Sequence, residues 1–223
     1  MRRFRGPELP GPGLPLLLGE EASHHLLRVT GVAPGEAVVV FDGAGHQAQA
    51  VLEGVEGGRA RLRQAGPTCA VDVAEIHLLI GVSKHAAMDT LLRMATELGV
   101  RRIQPVLTAR CVATGERGDR WERITESAAA QCGRADLPEI SPVARLAVAL
   151  AQVPVAWDRR VLVPAGPASA PAGTPCALLI GPEGGLTPDE VEQATRAGFQ
   201  PEGLGQRVLR VDTAVAAALA RLL

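Results

Sequence analysis

Hydrophobic and polar residues alternate in short runs along the first 70 residues of this chain. HQAQAVLEGV and GRARLRQAG are two such runs, and before them the strand-like run EAVVVFDG ends in Asp-Gly, a hairpin signal. In HQAQAVLEGV the residues Ala48, Ala50 and Leu52 fall on one face, as expected of a half-buried strand. Because short strands separated by glycine turns are typical of small barrels, we predict a small β-barrel domain over residues 1–70.

The pattern changes to one of strands alternating with helices after residue 70. IHLLIGV is a continuous apolar run, which is typical of a strand buried on both faces of a sheet. The next segment, SKHAAMDTLLRMATELG, has apolar residues at helical spacing and ends at Gly99, a helix stop. RRIQPVLTARCV, CALLI and RVLRV are further predicted strands. Strands alternating with helices predict an α/β domain with a parallel sheet over residues 71–223.

A glycine-rich segment, GPEGGL (181–186), follows the predicted strand CALLI. We call it the first glycine turn; it leads into TPDE, where Thr187, Pro188 and Glu190 have the spacing of a capping box with proline in the first helical position. Glycine-rich turns often bind phosphate, but the GxxxxGK[ST] pattern is absent. The only lysine lies far upstream, and Glu183 in the turn would repel a phosphate. A plain strand-to-helix turn is the alternative interpretation.

A second glycine turn, LGQRVL (204–209), precedes a helix that we expect to begin at Asp212 or Thr213. The carboxyl ends of parallel strands meet at one edge of a sheet, where ligands bind. Two glycine turns at that edge would form a crevice that holds a flat heterocycle between backbone groups and aliphatic walls. The predicted walls are Leu179, Ile180, Leu204, Val208 and Leu209.

Composition narrows the class of protein. The net charge is −1 and only 2% of residues are aromatic, so nucleic-acid binding by base stacking is disfavoured. Arg59, Arg61 and Arg63 would share one strand face, which is either a solvated face or an RNA contact. The four cysteines lack zinc-type spacing, so we expect no metal. Without a membrane-length apolar run or a signal-like start, we expect a cytoplasmic protein with no membrane partner.

The two glycine turns also carry a family resemblance. LLIGPEGGLTPDEV and LGQRVLRVDTA resemble motifs of the ribosomal RNA small-subunit methyltransferase E (RsmE) family of the SPOUT superfamily. HHLLRVTGVAPGEAVVVFDGAG, TELGVRRIQPVLTARC and AAAQCGRADLPEI are similar to further motifs of that family, in the family's order. The resemblance implies a PUA-like RNA-binding barrel, then a SPOUT domain with a C-terminal trefoil knot. It also implies homodimerisation and methylation of a uridine N3 atom in small-subunit (16S) ribosomal RNA, free or within the 30S subunit, with S-adenosyl-methionine as donor.

Site residues carry over from the matching motifs. Arg210 is the implied catalytic residue, and Arg5, Arg28 and Arg134 are the implied RNA contacts. The implied cofactor-binding residues are Leu162, Leu179, Ile180, Gly181, Pro182, Gly185, Leu204, Gly205, Val208 and Leu209. For Arg210 the alternative is a salt bridge to Asp212 or Glu183. Two other functions stay open: methylation of another RNA such as a tRNA, and RNA binding without catalysis.

Overall fold

The chain divides into two compact units in a computed structural model. One unit comprises Met1–Val73 with Glu126–Leu137, and the other comprises Ala74–Thr125 with Pro138–Leu223. The structure describes residues 1–71, 74–111, 118–168, 170 and 173–222. None of the helices in these described ranges has the length and apolar character needed to cross a membrane.

The first unit is built on a six-stranded sheet in the order β1-β3-β4-β5-β2, with β6 paired to β4. Its elements are β1 (Arg3–Arg5), β2 (Pro15–Leu17), α1 (Glu20–His24), a π-helical turn (His25–Val29), β3 (Ala37–Phe41), β4 (His46–Glu56), β5 (Arg59–Gln64) and β6 (Cys69–Ala70). The β1–β3 pair is parallel and the other pairs are antiparallel. Ala48, Ala50 and Leu52 are buried, which confirms the predicted inner face of HQAQAVLEGV.

The second unit contains a seven-stranded sheet in the order β10-β8-β7-β12-β11-β13, with β9 paired to β8. Its elements are β7 (Ile76–Gly81), α2 (His85–Glu97), β8 (Arg102–Leu107), α3 (Gly118–Cys132, counted with the first unit from Glu126 on), β9 (Glu139–Ile140), β10 (Ala144–Arg145), α4 (Leu146–Ala151), β11 (Asp158–Leu162), β12 (Cys176–Ile180), α5 (Pro188–Arg196), β13 (Gln200–Glu202) and α6 (Val211–Ala220). Every strand pair is parallel.

Helices cover both faces of this parallel sheet. Leu78 and Ile80 pack in one core cluster with residues of α2, α3 and α6. Leu79 and Leu179, which point to the opposite face, pack in a second cluster with residues of α4 and α5. The predicted α/β class with a parallel sheet and helices on both faces is therefore confirmed.

The prediction that RVLRV forms a strand is wrong. Residues 207–210 form a loop, and the strand that precedes it is β13, at the edge of the sheet. Val208 is 81% exposed, because this segment runs along a cavity instead of pairing with a neighbouring strand. The last helix begins at Val211 with Arg210 as its N-cap, one residue before the first predicted start.

Candidate functional site

A cavity of about 230 Å³ lies at the carboxyl ends of three neighbouring strands, β12, β11 and β13. Its walls come from the segments that follow these strands, as expected for ligand sites in parallel sheets. The predicted residues that line it are Leu162, Ile180, Gly181, Pro182, Gly185, Leu204, Gly205, Val208 and Leu209. Leu179 does not line the cavity, because its side chain is fully buried in the core with α4 and α5.

The first glycine turn is folded tightly against itself. The amide of Gly185 donates to the Pro182 carbonyl at 2.8 Å, and Gly185 adopts a φ of +72°. A Cβ atom on Gly181 would lie 2.9 Å from the backbone of Gly185 and Leu186, so only glycine fits there. The turn thereby presents its backbone to the cavity without an intervening side chain at these positions.

Helix α5 leaves this turn with the capping box that the sequence predicts. The Thr187 side chain accepts a hydrogen bond from the Glu190 amide at 3.2 Å. In return, Oε2 of Glu190 accepts from the Thr187 amide at 2.8 Å. The helix N-terminus is therefore satisfied by its own residues.

The segments after β11 and β13 touch each other through backbone atoms. The Gly203 amide donates to the Pro167 carbonyl at 2.9 Å, and the Val163 amide donates to the Glu202 carbonyl at 2.9 Å. A Cβ atom on Gly203 would lie 2.2 Å from the carbonyl oxygen of Gly166. No side chain fits between these two segments. Their close backbone contact therefore determines the position of the chain at the start of the second glycine turn.

A buried ionic network supports the base of these two segments. Arg160 on β11 makes a bidentate pair with Asp158 at 2.6 and 2.9 Å, and its hydrogen bond holds the pKa of the Asp158 carboxyl below the ordinary value. Glu202 at the end of β13 is 5% exposed and accepts from Arg221 at 2.6 Å. The end of α6 is therefore tied to the strand that leads into the second glycine turn.

Among the residues that the structure describes, three charged ones border the cavity: Arg110, Glu183 and Arg207. Arg110 donates from Nη1 to the Gly184 carbonyl at 2.8 Å, and Glu183 accepts from the Lys84 amide at 3.4 Å. Arg110 is not among the predicted site residues, because it falls inside the run RRIQPVLTARCV that the sequence predicts to be a strand. The structure ends this strand at Leu107, so Arg110 lies in the loop at the carboxyl edge of the sheet.

Arg210 separates two cavity-lining residues, Leu209 and Val211, and is exposed. Within the part of the chain that the structure describes, its side chain forms no ion pair or hydrogen bond. Asp212 instead accepts from the amide of Thr213 at 2.7 Å. The alternative pairing of Arg210 with Asp212 or Glu183 is therefore not formed.

The predicted RNA-contacting arginines all lie in the first unit, in different settings. Arg5 on β1 pairs with Glu126 at 3.0 Å, and Arg28 is exposed in the π-helical turn. Arg134 is 11% exposed and makes a buried ion pair with Asp136. Each role in RNA binding stays a prediction.

Two arginines of β5 form surface ion pairs, and the third donates a hydrogen bond to the backbone. Arg61 and Arg63 both pair with Glu53, at 3.3 and 2.9 Å, and Arg59 donates to the Leu18 carbonyl at 2.6 Å. These contacts favour the interpretation of this strand face as a solvated one.

Comparisons with known proteins agree on one family. A model of the RNA methyltransferase domain matches residues 71–223. The chain is 34% identical over 231 residues to ribosomal RNA small subunit methyltransferase E of Mycobacterium tuberculosis, covering 95% of this chain and 87% of that protein. It is 31% identical over 221 residues to the Synechocystis protein of the same name, covering 89% and 69% respectively.

A solved structure is similar over nearly the whole chain. It is the crystal structure of ribosomal RNA small subunit methyltransferase E from Neisseria gonorrhoeae bound to S-adenosyl methionine. The TM-score is 0.89 at 34% identity, covering 99% of this chain and 95% of that one. Sequence and structure together show that this chain belongs to the RNA methyltransferase domain family, among the ribosomal RNA small subunit methyltransferases E.

Proposed function

We propose that this protein transfers a methyl group from S-adenosyl-methionine to the N3 atom of a specific uridine in small-subunit ribosomal RNA. The observation that carries the proposal is the cavity at the carboxyl ends of β12, β11 and β13, formed by the two glycine turns. The similar Neisseria gonorrhoeae structure, in complex with S-adenosyl methionine, supports the choice of donor.

The groups around the cavity fit an adenosyl sulfonium. Leu162, Ile180, Leu204 and Leu209 provide aliphatic walls for a flat heterocycle, and the glycine turns provide backbone hydrogen-bonding groups. The donor carries no phosphate, and none of the described residues that line the cavity is a lysine. Its sulfonium is a cation, for which backbone carbonyls and the Glu183 carboxylate are suitable neighbours.

When bound, the donor supplies an electrophilic methyl group. The cavity would hold it in line with the acceptor nitrogen, and such alignment contributes up to roughly 7–11 kcal/mol. The uridine N3–H must lose its proton, because a protonated imide nitrogen has no available lone pair. Arg210 would stabilise the negative charge that develops on the uracil carbonyl oxygens. Since an arginine is not a base in proteins, the proton passes to another acceptor, for which solvent is the candidate.

The domain organisation belongs to the same proposal. Residues 1–70 would form a PUA-like RNA-binding barrel that uses Arg5 and Arg28, and residues 71–223 a SPOUT domain with a C-terminal trefoil knot. Arg134, which lies after residue 70, would be a further RNA contact. The knot rests on the resemblance of the motifs in residues 178–191 and 204–214 to those of the RsmE family. Homodimerisation and a cytoplasmic location follow from the resemblance to the RsmE family.

Two measurements on purified protein test the proposal. Calorimetry should show binding of S-adenosyl-methionine, and small subunits from cells that lack the gene, incubated with the protein and methyl-labelled donor, should gain label on one uridine. Arg210→Ala should bind the donor normally and lose most of the transfer. Near-normal methylation by Arg210→Ala would contradict the role of this residue. Absence of donor binding by the unmodified protein would favour RNA binding without catalysis.

Label that appears in tRNA and not in ribosomal RNA would move the activity to another substrate. A parallel incubation with bulk tRNA therefore serves as the matched comparison. Free small-subunit RNA in a third incubation distinguishes the naked molecule from the assembled subunit as substrate.

A further inference from the structure

We propose that Arg110 is a positioning residue that holds the first glycine turn in the shape required to bind the methyl donor. The inference rests on the proposed function, because it assigns that cavity to the donor. Arg110 belongs to the β8 loop (Thr108–Cys111), which directly follows β8. Arg110 lies 74 residues before Gly184 in the sequence.

The Arg110 side chain lies along the turn and contacts it at two carbonyl groups. Its Nη1 donates to Gly184 at 2.8 Å and to Leu186 at 3.4 Å, on either side of Gly185. A Cβ atom on Gly184 would lie 3.0 Å from the Cβ of Arg110, so the β8 loop and the first glycine turn are also in close contact there. Hydrogen bonds from a charged guanidinium are stronger than those between neutral groups.

A second contact from the β8 loop reaches the same region independently. The Ala109 amide donates to Oε1 of Glu190 at 2.7 Å, while Oε2 of that carboxylate accepts from the Thr187 amide. The loop itself is closed by a hydrogen bond from the Cys111 amide to the Thr108 carbonyl at 3.2 Å. The β8 loop therefore holds both the turn and the first turn of α5.

The first glycine turn is closely packed but forms few hydrogen bonds of its own. Three of its six residues are glycine, the residue type with the most backbone freedom to lose on ordering. Among the described residues, the Gly185 to Pro182 bond is the one backbone hydrogen bond formed within residues 181–186. Without Arg110 the turn would be less ordered before the donor binds, and the affinity would fall accordingly.

Arg110→Met tests this inference, because methionine keeps an aliphatic stem and removes the donors. We expect the Kd for S-adenosylhomocysteine to rise about ten-fold, equivalent to about 1.4 kcal/mol, with little change in Tm because Arg110 is exposed. The matched control is Arg196→Met on α5, whose side chain pairs only with Glu192 among the described residues. This control should bind as the unmodified protein does.

A second ligand separates positioning from direct contact. Methylthioadenosine and S-adenosylhomocysteine are both neutral thioethers, but only the latter carries the amino acid portion. If Arg110 acts through the turn, Arg110→Met weakens both ligands by the same factor. Loss of affinity for S-adenosylhomocysteine alone would show that Arg110 binds the ligand's carboxylate, and would overturn the inference.

Hydrogen exchange without ligand makes the test independent of the proposed function. Amides of residues 183–187 should exchange faster in Arg110→Met than in the unmodified protein, and Arg110→Lys should restore part of the protection. Unchanged exchange would overturn the inference. If the unmodified protein binds neither ligand, the proposed function fails while the exchange comparison still decides whether Arg110 orders the turn.

Discussion

Replacement of Gly203 by alanine tests the packing of the segments that form the cavity. The added Cβ would lie 2.2 Å from the oxygen, 2.6 Å from the nitrogen and 2.7 Å from the carbonyl carbon of Gly166. These are backbone atoms, so no side-chain rotation relieves the overlap, and the two segments must separate by roughly 1 Å. Overpacking of this kind costs about 1–3 kcal/mol.

Separation also strains two hydrogen bonds that join the same segments, from Gly203 to Pro167 and from Val163 to Glu202. Each is worth about 0.5–1.5 kcal/mol. We therefore expect Gly203→Ala to lower the free energy of unfolding by about 3 kcal/mol or more. In a protein of this size that corresponds to a fall in Tm of about 6–12 °C.

Thermal unfolding followed by circular dichroism measures this effect. Gly173→Ala is the matched control, because a Cβ there would meet no atom within 4 Å. We expect that control to change the free energy of unfolding by less than about 0.5 kcal/mol. A change of 1 kcal/mol shifts the Tm of a protein of this size by about 2–4 °C. A Tm for Gly203→Ala within about 2 °C of the control would therefore refute the proposed overlap between Gly203 and Gly166.

Three further predictions concern other contacts of the second unit. Burial raises the pKa of Cys176 to about 11. A thiol reagent at pH 8 should therefore modify the exposed cysteines and leave Cys176 unreacted until the protein unfolds. Equal modification rates for Cys176 and the exposed cysteines by mass spectrometry would contradict this. Glu190→Gln leaves one side-chain oxygen to accept hydrogen bonds from the amides of Thr187 and Ala109. Chemical denaturation should therefore show that the free energy of unfolding falls by about 1 kcal/mol. An unchanged midpoint would count against the double contact. Burial lowers the pKa of His77 below 6.5, so as the pH falls the imidazole is protonated in the unfolded chain before it is protonated in the folded protein. The unmodified protein should therefore lose stability relative to His77→Phe between pH 7.5 and 5. Parallel stability curves would exclude the effect.

Local patterns in the sequence identify much of this fold. The apolar runs of β7 and β12 predict buried parallel strands, because residues on both faces of such strands are covered by helices. Thr187, Pro188 and Glu190 predict the start of α5, because a capping box involves only residues three positions apart. Both features are decided within a few residues of the chain.

Features decided by distant contacts could not be predicted in this way. RVLRV has the apolar and β-branched residues typical of a strand, but the chain forms a loop beside the cavity after the close approach of Gly203 to Gly166. Leu179 belongs to a motif that resembles a cofactor site, yet strand alternation turns its side chain into the core. Arg110 reaches the first glycine turn from 74 residues away, and no local pattern marks that contact.

The central claim is that this protein methylates one uridine of small-subunit ribosomal RNA at N3. Nucleoside mass mapping of that RNA from cells with and without the gene tests it most directly. We expect a single N3-methyluridine that disappears on deletion, returns with the unmodified gene and does not return with Arg210→Ala. An identical methylation map in the deletion strain would contradict the claim.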